Sequence, residues 1–223
     1  MTQSIAVMGS KGGITKSTIV RALSVAYTVA EWDTLIADME QGQATSRKFV
    51  SRREEAGILP ALNVKSFGAV SLVERELKTG NNDLIIIDCP AFATKSAIDT
   101  ALIADLVVLP TGFSIDDMES TANFANSLVL QGISPDKICI VFSGIDEKKT
   151  QTARDKDYEK SCDYFSPLPY EVINGYIPRL PSLREAQDVG RSIIECTFPG
   201  PRAKADHVIQ GIIAKFESLT GDI

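Results

Sequence analysis

The chain has 223 residues, of which 44% are hydrophobic and 23% charged, a composition typical of a globular protein with a sizeable core. Its net charge of −6 argues against a surface that is basic everywhere and grips nucleic acid constitutively, while leaving room for a local basic patch. The single histidine and four scattered cysteines argue against His-based catalysis, a zinc site and a disulfide framework, and they favour a reducing cytoplasm.

Short apolar runs bounded by turn residues alternate with helical patterns along the chain. This alternation predicts βαβ units, and therefore an α/β fold with a mostly parallel central sheet flanked by helices in one domain, 1–223. Strands are predicted at 4–9, 33–38, 61–67, 83–90, 105–111 and 137–144. Helices are predicted at 15–31, 45–57, 70–80, 95–104, 114–132, 146–160, 183–190 and 201–219.

No apolar run is long enough to cross a bilayer, and the N-terminus lacks the charged start and apolar stretch of a signal peptide. Near the C-terminus an apolar stripe has too few lysines or arginines opposite it for a membrane anchor, so we expect core packing. The stripe consists of Val208, Ile212, Phe216 and Leu219. We therefore expect no membrane partner.

The stretch "SKGGITKST" at 10–18 lies between the first predicted strand and the first predicted helix, which is the context of a phosphate-binding loop. It departs from the pattern G-x-x-x-x-G-K-[ST] because Ser10 and Thr15 occupy the two glycine positions. A Gly/Ser/Lys turn before an ordinary helix is the alternative interpretation.

Each residue type in this loop suits phosphate binding. Gly12 and Gly13 would let the backbone approach closely, and N–H groups at a helix N-terminus attract anions. Lys16 would reach the β- and γ-phosphates, and the Ser17 hydroxyl would bind Mg²⁺. The predicted nucleotide-binding residues of the loop are Gly12, Gly13, Ile14, Thr15, Lys16, Ser17 and Thr18.

Acidic residues follow two predicted strands. Asp88 ends a buried apolar strand, where an acid commonly holds Mg²⁺ in phosphate-loop enzymes. Asp38 and Glu40 end another strand, and an acid there could position the attacking water. The alternatives are a carboxylate that caps a strand-to-loop turn and a solvated turn.

Taken together, these motifs resemble those of the ParA/MinD family of P-loop ATPases. "KGGITKS" resembles the deviant Walker A box K-G-G-x-G-K-[ST] except at Thr15. "DMEQGQAT" is similar to D-x-D-P-Q-G-N-A-T, with Glu40 for the second aspartate and no proline. "IIIDCPA" resembles the Walker B and switch II motif, and 177–195 resembles the family's I-P-R…E-A segment. The resemblance spans nearly the whole chain.

The resemblance implies a three-layer P-loop NTPase fold, ATPase activity, and ATP/ADP and Mg²⁺ as cofactors. It implies that Lys11 reaches across an ATP-bound homodimer to the partner's nucleotide. The catalytic residues would be Lys11, Lys16, Asp38 and Glu40, and the metal ligands Ser17 and Asp88. The adenine would lie against Ile177, Pro178 and Arg179.

Because the chain begins almost at the loop, it is most similar to short plasmid-partition ParA proteins without an N-terminal helix-turn-helix. The resemblance then implies nonspecific binding of nucleoid double-stranded DNA, a cytoplasmic location, and a ParB-like or other centromere-binding partner. The candidate DNA contacts are Arg184, Arg191, Arg202, Lys204 and Lys215, with solvated helix faces as the alternative. The charged segment 146–160 is either a partner surface or a solvated helix.

Two further hypotheses stay open, and Thr15 favours the first of them. The residue before the lysine often takes a left-handed or strained backbone, which costs a β-branched residue about 1–3 kcal/mol. Hydrolysis would then be slow, or the protein would be an ATP-locked adaptor that positions other cargo, such as conjugation machinery. A metabolic phosphotransferase on a related fold is the other hypothesis, against which Lys11 and the I-P-R…E-A segment argue.

Overall fold

A parallel β-sheet forms the centre of the fold, in a computed structural model that describes residues 2–9, 15–40, 45–91 and 95–221. Within these ranges the strands are β1 (Gln3–Gly9), β2 (Thr34–Asp38), β3 (Asn63–Ser66), β4 (Leu84–Ala91), β5 (Leu106–Thr111), β6 (Ile138–Ile145) and β7 (Glu171–Pro178). Their order across the sheet is β3-β2-β4-β1-β5-β6-β7, and all pairings are parallel. The predicted parallel sheet is confirmed.

Helices cover both faces of the sheet. They are α1 (Lys16–Val29), α2 (Thr45–Glu55), α3 (Val70–Thr79), α4 (Lys95–Ile103), α5 (Ile115–Leu130), α6 (Gln151–Phe165), α7 (Pro181–Asp188) and α8 (Pro199–Thr220). Helices α1, α2, α7 and α8 contribute to one buried apolar cluster, and α3 to α6 contribute to the other. The three-layer α/β fold is therefore confirmed.

The alternation of side chains along a strand explains the two clusters. In β1, Ile5 and Val7 pack into one cluster, while Ala6 and Met8 pack into the other. All four side chains are fully buried, as expected for a central strand of a parallel sheet covered on both faces. This two-sided burial is why the central strands read as continuous apolar runs in the sequence.

The C-terminal helix contributes its apolar stripe to the core, as predicted. Val208, Ile212 and Phe216 are fully buried, and Leu219 packs against the same cluster. Among the described residues, no helix combines the length and the apolar character needed to cross a bilayer.

Two elements differ from the sequence prediction. The helix predicted from Asp146 begins only at Gln151, because Lys148 N–H donates to the Asp146 carboxylate in a turn and Thr150 caps the helix. Strand β7 was not predicted, since this edge strand is partly exposed and has a left-handed glycine, Gly175, in its middle.

The sheet topology brings the carboxyl ends of β1, β2 and β4 together. Asp38 of β2 is paired in register with Asp88 of β4, and Val7 near the end of β1 is paired with Asp88 on the other side. Ligands of parallel α/β sheets bind at such carboxyl ends. The fold thus places both predicted acids beside the start of α1.

Candidate nucleotide site

Thr15 has the left-handed backbone that the motif predicted. Its φ is 50° and its ψ is 19°, directly before the first helical residue, Lys16. The Thr15 hydroxyl shares a hydrogen bond with the Ser143 hydroxyl at the end of β6. The threonine is therefore held by a side-chain contact that a glycine cannot make. The predicted Lys11, Gly12, Gly13 and Ile14 lie outside the described residues.

The start of α1 contacts the start of α2 beside the Asp88 carboxylate. Ser17 Oγ lies 3.1 Å from Thr45 Oγ1, and Ser46 Oγ donates a 2.6 Å hydrogen bond to Asp88 Oδ2. Asp88 is only 1% exposed, and Lys16 is 9% exposed. The hydroxyl and carboxylate predicted to bind Mg²⁺ are thus brought together, and α2 is anchored to them.

The two predicted catalytic acids have different surroundings. Asp38 is almost fully buried, and its carboxylate accepts the backbone N–H groups of Glu40 at 3.0 Å and Arg47 at 3.4 Å. Glu40 is half-buried, and its carboxylate accepts a long 3.5 Å hydrogen bond from Thr45. Asp38 therefore shapes the turn, whereas Glu40 keeps more of its hydrogen-bonding capacity.

Burial raises the pKa of Asp88 to about 6. Hydrogen bonds from Ser46 and Ser17 lower this pKa, and the nearby charge of Asp38 raises it. Two carboxylates buried at adjacent strand ends repel each other, so a cation between or beside them would be strongly favoured. Together with the Ser17 hydroxyl they form an all-oxygen donor set, which is the kind that Mg²⁺ prefers. The residues present therefore fit the predicted metal.

Arg21 is a buried cation that the sequence interpretation missed. It is 8% exposed, and its guanidinium lies 4.9 Å from the centre of the Phe49 ring. Burial lowers its pKa to about 10, while the charge of Asp88 opposes that shift. The available signal was a charged residue in the otherwise apolar stretch 19–23, four residues after Ser17 and therefore on the same face of the helix.

A half-open cavity of about 660 Å³ adjoins the start of α1. It is lined by Thr15 and Thr18 together with the predicted adenine-binding residues. Those residues are Ile177, Pro178 and Arg179, which lie at the end of β7 and directly after it. The structure thus brings together two segments that lie about 160 residues apart in the chain.

Gln187 joins this cavity to the acidic end of the site. Its Oε1 accepts hydrogen bonds from Thr18 Oγ1 at 3.2 Å and from Arg21 Nη1 at 3.0 Å. Its backbone carbonyl accepts a 3.3 Å bond from Arg52 of α2. Gln187 also lines the cavity, so one side chain on α7 contacts both halves of the site. No sequence motif indicated this role.

A buried ion pair fixes α2 against the C-terminal part of the chain. Arg53 is fully buried and makes a bidentate pair with Glu195, at 2.7 and 2.9 Å. It also donates to the carbonyls of Pro60 and Gly190. Gly190 has a φ of 82°, and a Cβ there would lie 2.6 Å from the Arg53 backbone, so only glycine fits this close approach.

The fold and the site define a nucleotide-binding α/β protein of the phosphate-loop class. Residues 5–193 match the family described as the CobQ/CobB/MinD/ParA nucleotide binding domain. The chain therefore belongs to that family. It is a nucleotide-binding protein of the ParA/MinD type, as the sequence resemblance implied.

Individual relatives are distant in sequence. The chromosome partitioning protein ParA of Myxococcus xanthus (strain DK1622) is 24% identical over 230 residues, which cover 85% of this chain and 80% of that protein. The structure of septum site-determining protein MinD from Pyrococcus horikoshii, complexed with Mg-ADP, gives a TM-score of 0.69 at 21% identity, covering 100% of both chains. An ATP complex of a Cyanothece McdA variant gives 0.72 at 15% identity, covering 95% and 96%. At these identities the structures support the fold alone.

Proposed function

We propose that residues 1–223 form a single domain that acts as a DNA partition ATPase. In this proposal ATP joins two copies into a dimer, and the dimer binds nucleoid DNA nonspecifically in the cytoplasm. A ParB-like or other centromere-binding partner then stimulates hydrolysis and releases the dimer. The observation that carries the proposal is that the start of α1 contacts both other motifs. Ser17 lies beside Asp88 and the start of α2, while Thr15 and Thr18 line one cavity with the 177–179 segment.

In the proposed site each residue has a separate task. Lys16 and the N–H groups at the start of α1 would bind the phosphates, and the base would lie in the cavity against Ile177 and Pro178. Ser17 and Asp88 would hold Mg²⁺, which when bound offsets phosphate charge. Lys11 would contribute its charge to the nucleotide of the second subunit.

We assign the orientation of the attacking water to Glu40 rather than to Asp38. Both Asp38 oxygens already accept backbone N–H groups, so this carboxylate is a positioning group for the turn. Glu40 accepts only the long bond from Thr45 among the described residues, which leaves its carboxylate available for a water molecule. Its extra methylene relative to aspartate would lengthen its reach and slow the step.

Three of the five candidate DNA contacts are exposed and suit a phosphate backbone: Arg184, Arg191 and Arg202. The other two are engaged, because Lys204 pairs with Glu147 and Lys215 pairs with Glu171 at 2.9 Å. We therefore propose the three arginines as DNA contacts. Binding through phosphates would weaken steeply with salt.

The test is ATP turnover by the purified protein with Mg²⁺, with and without nonspecific double-stranded DNA, while light scattering follows dimer formation. Turnover that rises steeply with protein concentration, together with ATP-dependent dimers that bind DNA, is the expected result. An Arg191→Ala/Arg202→Ala variant should dimerise normally yet bind DNA more weakly. ATP turnover that stays proportional to protein concentration, without dimers, would contradict the proposal and favour a metabolic phosphotransferase.

The left-handed Thr15 favours a second candidate, an ATP-locked adaptor that dimerises but scarcely hydrolyses ATP. The Thr15→Gly variant separates the two candidates. If the wild type dimerises on ATP without turnover and the glycine variant gains turnover, the adaptor is supported. If both hydrolyse ATP at similar rates, the partition ATPase is supported.

A further inference from the structure

A second groove lies at the opposite end of α1 from the nucleotide site. Its volume is about 460 Å³, and it is lined by the last turns of α1, residues 59–60, residues 194–195 and one side of α8. Helix α1 begins at Lys16, so its last turn is about 20 Å from the phosphate-binding residues. The groove is therefore separate from the site described above.

The groove has an aromatic wall and exposed apolar residues beside it. Tyr27 and Trp32 pack edge to face, with ring centroids 5.1 Å apart. Val29 and Leu59, which also line the groove, are 64% and 79% exposed. Large apolar side chains exposed together around a concavity are typical of an interaction site.

The charged residues that line this groove are all acidic: Glu195, Asp206 and Glu217. Glu195 is neutralised by its pair with Arg53. Asp206 and Glu217 make no ion pair within the part of the chain that the structure describes. An apolar groove with two uncompensated carboxylates is complementary to a ligand that is apolar and cationic.

Tyr27 adds a hydrogen-bonding feature. Its side chain is 3% exposed, and its hydroxyl has no hydrogen-bond partner among the described residues. Burial, and after it the charge of Glu217, raises the pKa of Tyr27, so the phenol keeps its proton at neutral pH. Buried polar groups usually have a partner, and a neutral phenol can donate to a carbonyl oxygen such as that of a peptide.

We propose that this groove binds a short segment of a partner protein that carries an apolar side chain next to a lysine or arginine. The apolar side chain packs between Val29 and Leu59, and the basic one pairs with either Asp206 or Glu217, which lie about three turns apart on α8. Charge selects a partner over a second copy of this chain, because this chain has a net charge of −6.

Trp32 provides a direct assay, because it is the only tryptophan of the chain. Its fluorescence is titrated with a capped hexapeptide that alternates leucine and arginine. Two matched peptides replace arginine by glutamate or leucine by serine. A saturable change is expected with the Leu/Arg peptide, and much weaker binding with either control. Neutralising both carboxylates, in Asp206→Asn/Glu217→Gln, should weaken binding roughly three- to thirtyfold, since each exposed ion pair contributes little.

A matched pair of variants tests the location. Val29→Arg puts a positive charge into the groove at the last residue of α1, while Leu130→Arg makes the same change at the last residue of α5, which is also exposed. Only Val29→Arg should abolish binding. The proposal is wrong if Val29→Arg binds as the wild type does, or if the Leu/Glu peptide binds equally well. It is also wrong if dilution of the protein alone changes the Trp32 signal and Val29→Arg removes that change, because the groove then joins two copies.

Discussion

The backbone of Thr15 allows a quantitative test of how strain is maintained at the phosphate loop. A left-handed backbone costs an L-residue about 1–2 kcal/mol, whereas glycine adopts it freely. The Thr15 hydroxyl offsets part of this cost through its hydrogen bond with Ser143, which contributes about 0.5–1.5 kcal/mol. Thr15→Gly removes both effects, so its free energy of unfolding should lie within about 1 kcal/mol of the wild type.

The comparison with alanine separates the two contributions. Thr15→Ala loses the hydroxyl but keeps a Cβ in the left-handed region, and Ser143→Ala loses only the hydrogen bond. We expect Thr15→Gly to be more stable than Thr15→Ala by about 1 kcal/mol, after allowing for the greater freedom of glycine in the unfolded chain. Ser143→Ala should lower the free energy of unfolding only by the contribution of the hydrogen bond, about 0.5–1.5 kcal/mol.

Urea denaturation of these variants without nucleotide measures the differences. Glu31 is an internal control, since it is exposed and has a φ of 67°. The Gly and Ala variants at Glu31 should differ by a similar amount and in the same direction. If Thr15→Ala is as stable as Thr15→Gly while the Glu31 variants differ as expected, the strain argument for Thr15 is refuted.

Three further predictions follow from the site. The pKa of Asp88, raised to about 6 by burial, makes the folded state hold a proton that the unfolded chain releases near 3.8. Without Mg²⁺ or nucleotide, the stability that this group contributes is therefore greatest below pH 4 and is lost as the pH rises through 6. In urea denaturation at pH 8, the free energy of unfolding of Asp88→Asn should exceed that of the wild type by up to about 3 kcal/mol. A smaller gain at pH 8 than at pH 4 would contradict this prediction. Glu195→Ala should lower the free energy of unfolding by about 3–5 kcal/mol, because it leaves the fully buried Arg53 without its carboxylate. The control Glu76→Ala, in a more exposed ion pair, should lower it by less than about 1 kcal/mol, and equal losses would contradict the role of Arg53–Glu195 as a buried pair. Gln187→Ala should raise the KM for ATP roughly five- to thirtyfold through the loss of its bonds to Thr18 and Arg21, and an unchanged KM in a steady-state ATPase assay would exclude that role.

The sequence was most informative where local pattern and fold agree. Six of the seven strands in the described residues were predicted. Apolar runs predicted β1, β2, β4, β5 and β6, because strands buried on both faces must be continuously apolar, whereas the predicted β3 is largely exposed. The positions of Asp38 and Asp88 at strand ends predicted their proximity, since parallel strands end at one edge of the sheet. The edge strand β7 was not predicted, because it is only partly buried and a glycine interrupts its apolar pattern.

Long-range polar contacts could not be predicted in this way. Arg53 and Glu195 are 142 residues apart, and each reads in the sequence as a solvated charge on a surface segment. Gln187 likewise looks like a polar residue on an amphipathic helix. Its role follows only from the approach of α7 to α1, which depends on how both helices pack on the same face of the sheet.

These unpredicted contacts also show how the two halves of the nucleotide site are joined. Helix α2 contacts the predicted Mg²⁺ ligands at its start, through Thr45 and Ser46, and is fixed near its end by the Arg53–Glu195 pair. Gln187 accepts a hydrogen bond from Arg21 on the acidic side of the site, and it also lines the cavity predicted to hold the base. A displacement of α2 therefore disturbs a buried ion pair that is costly to break. The position of the predicted metal-binding residues is thereby coupled to the segment predicted to surround the base, even though no local motif connects them.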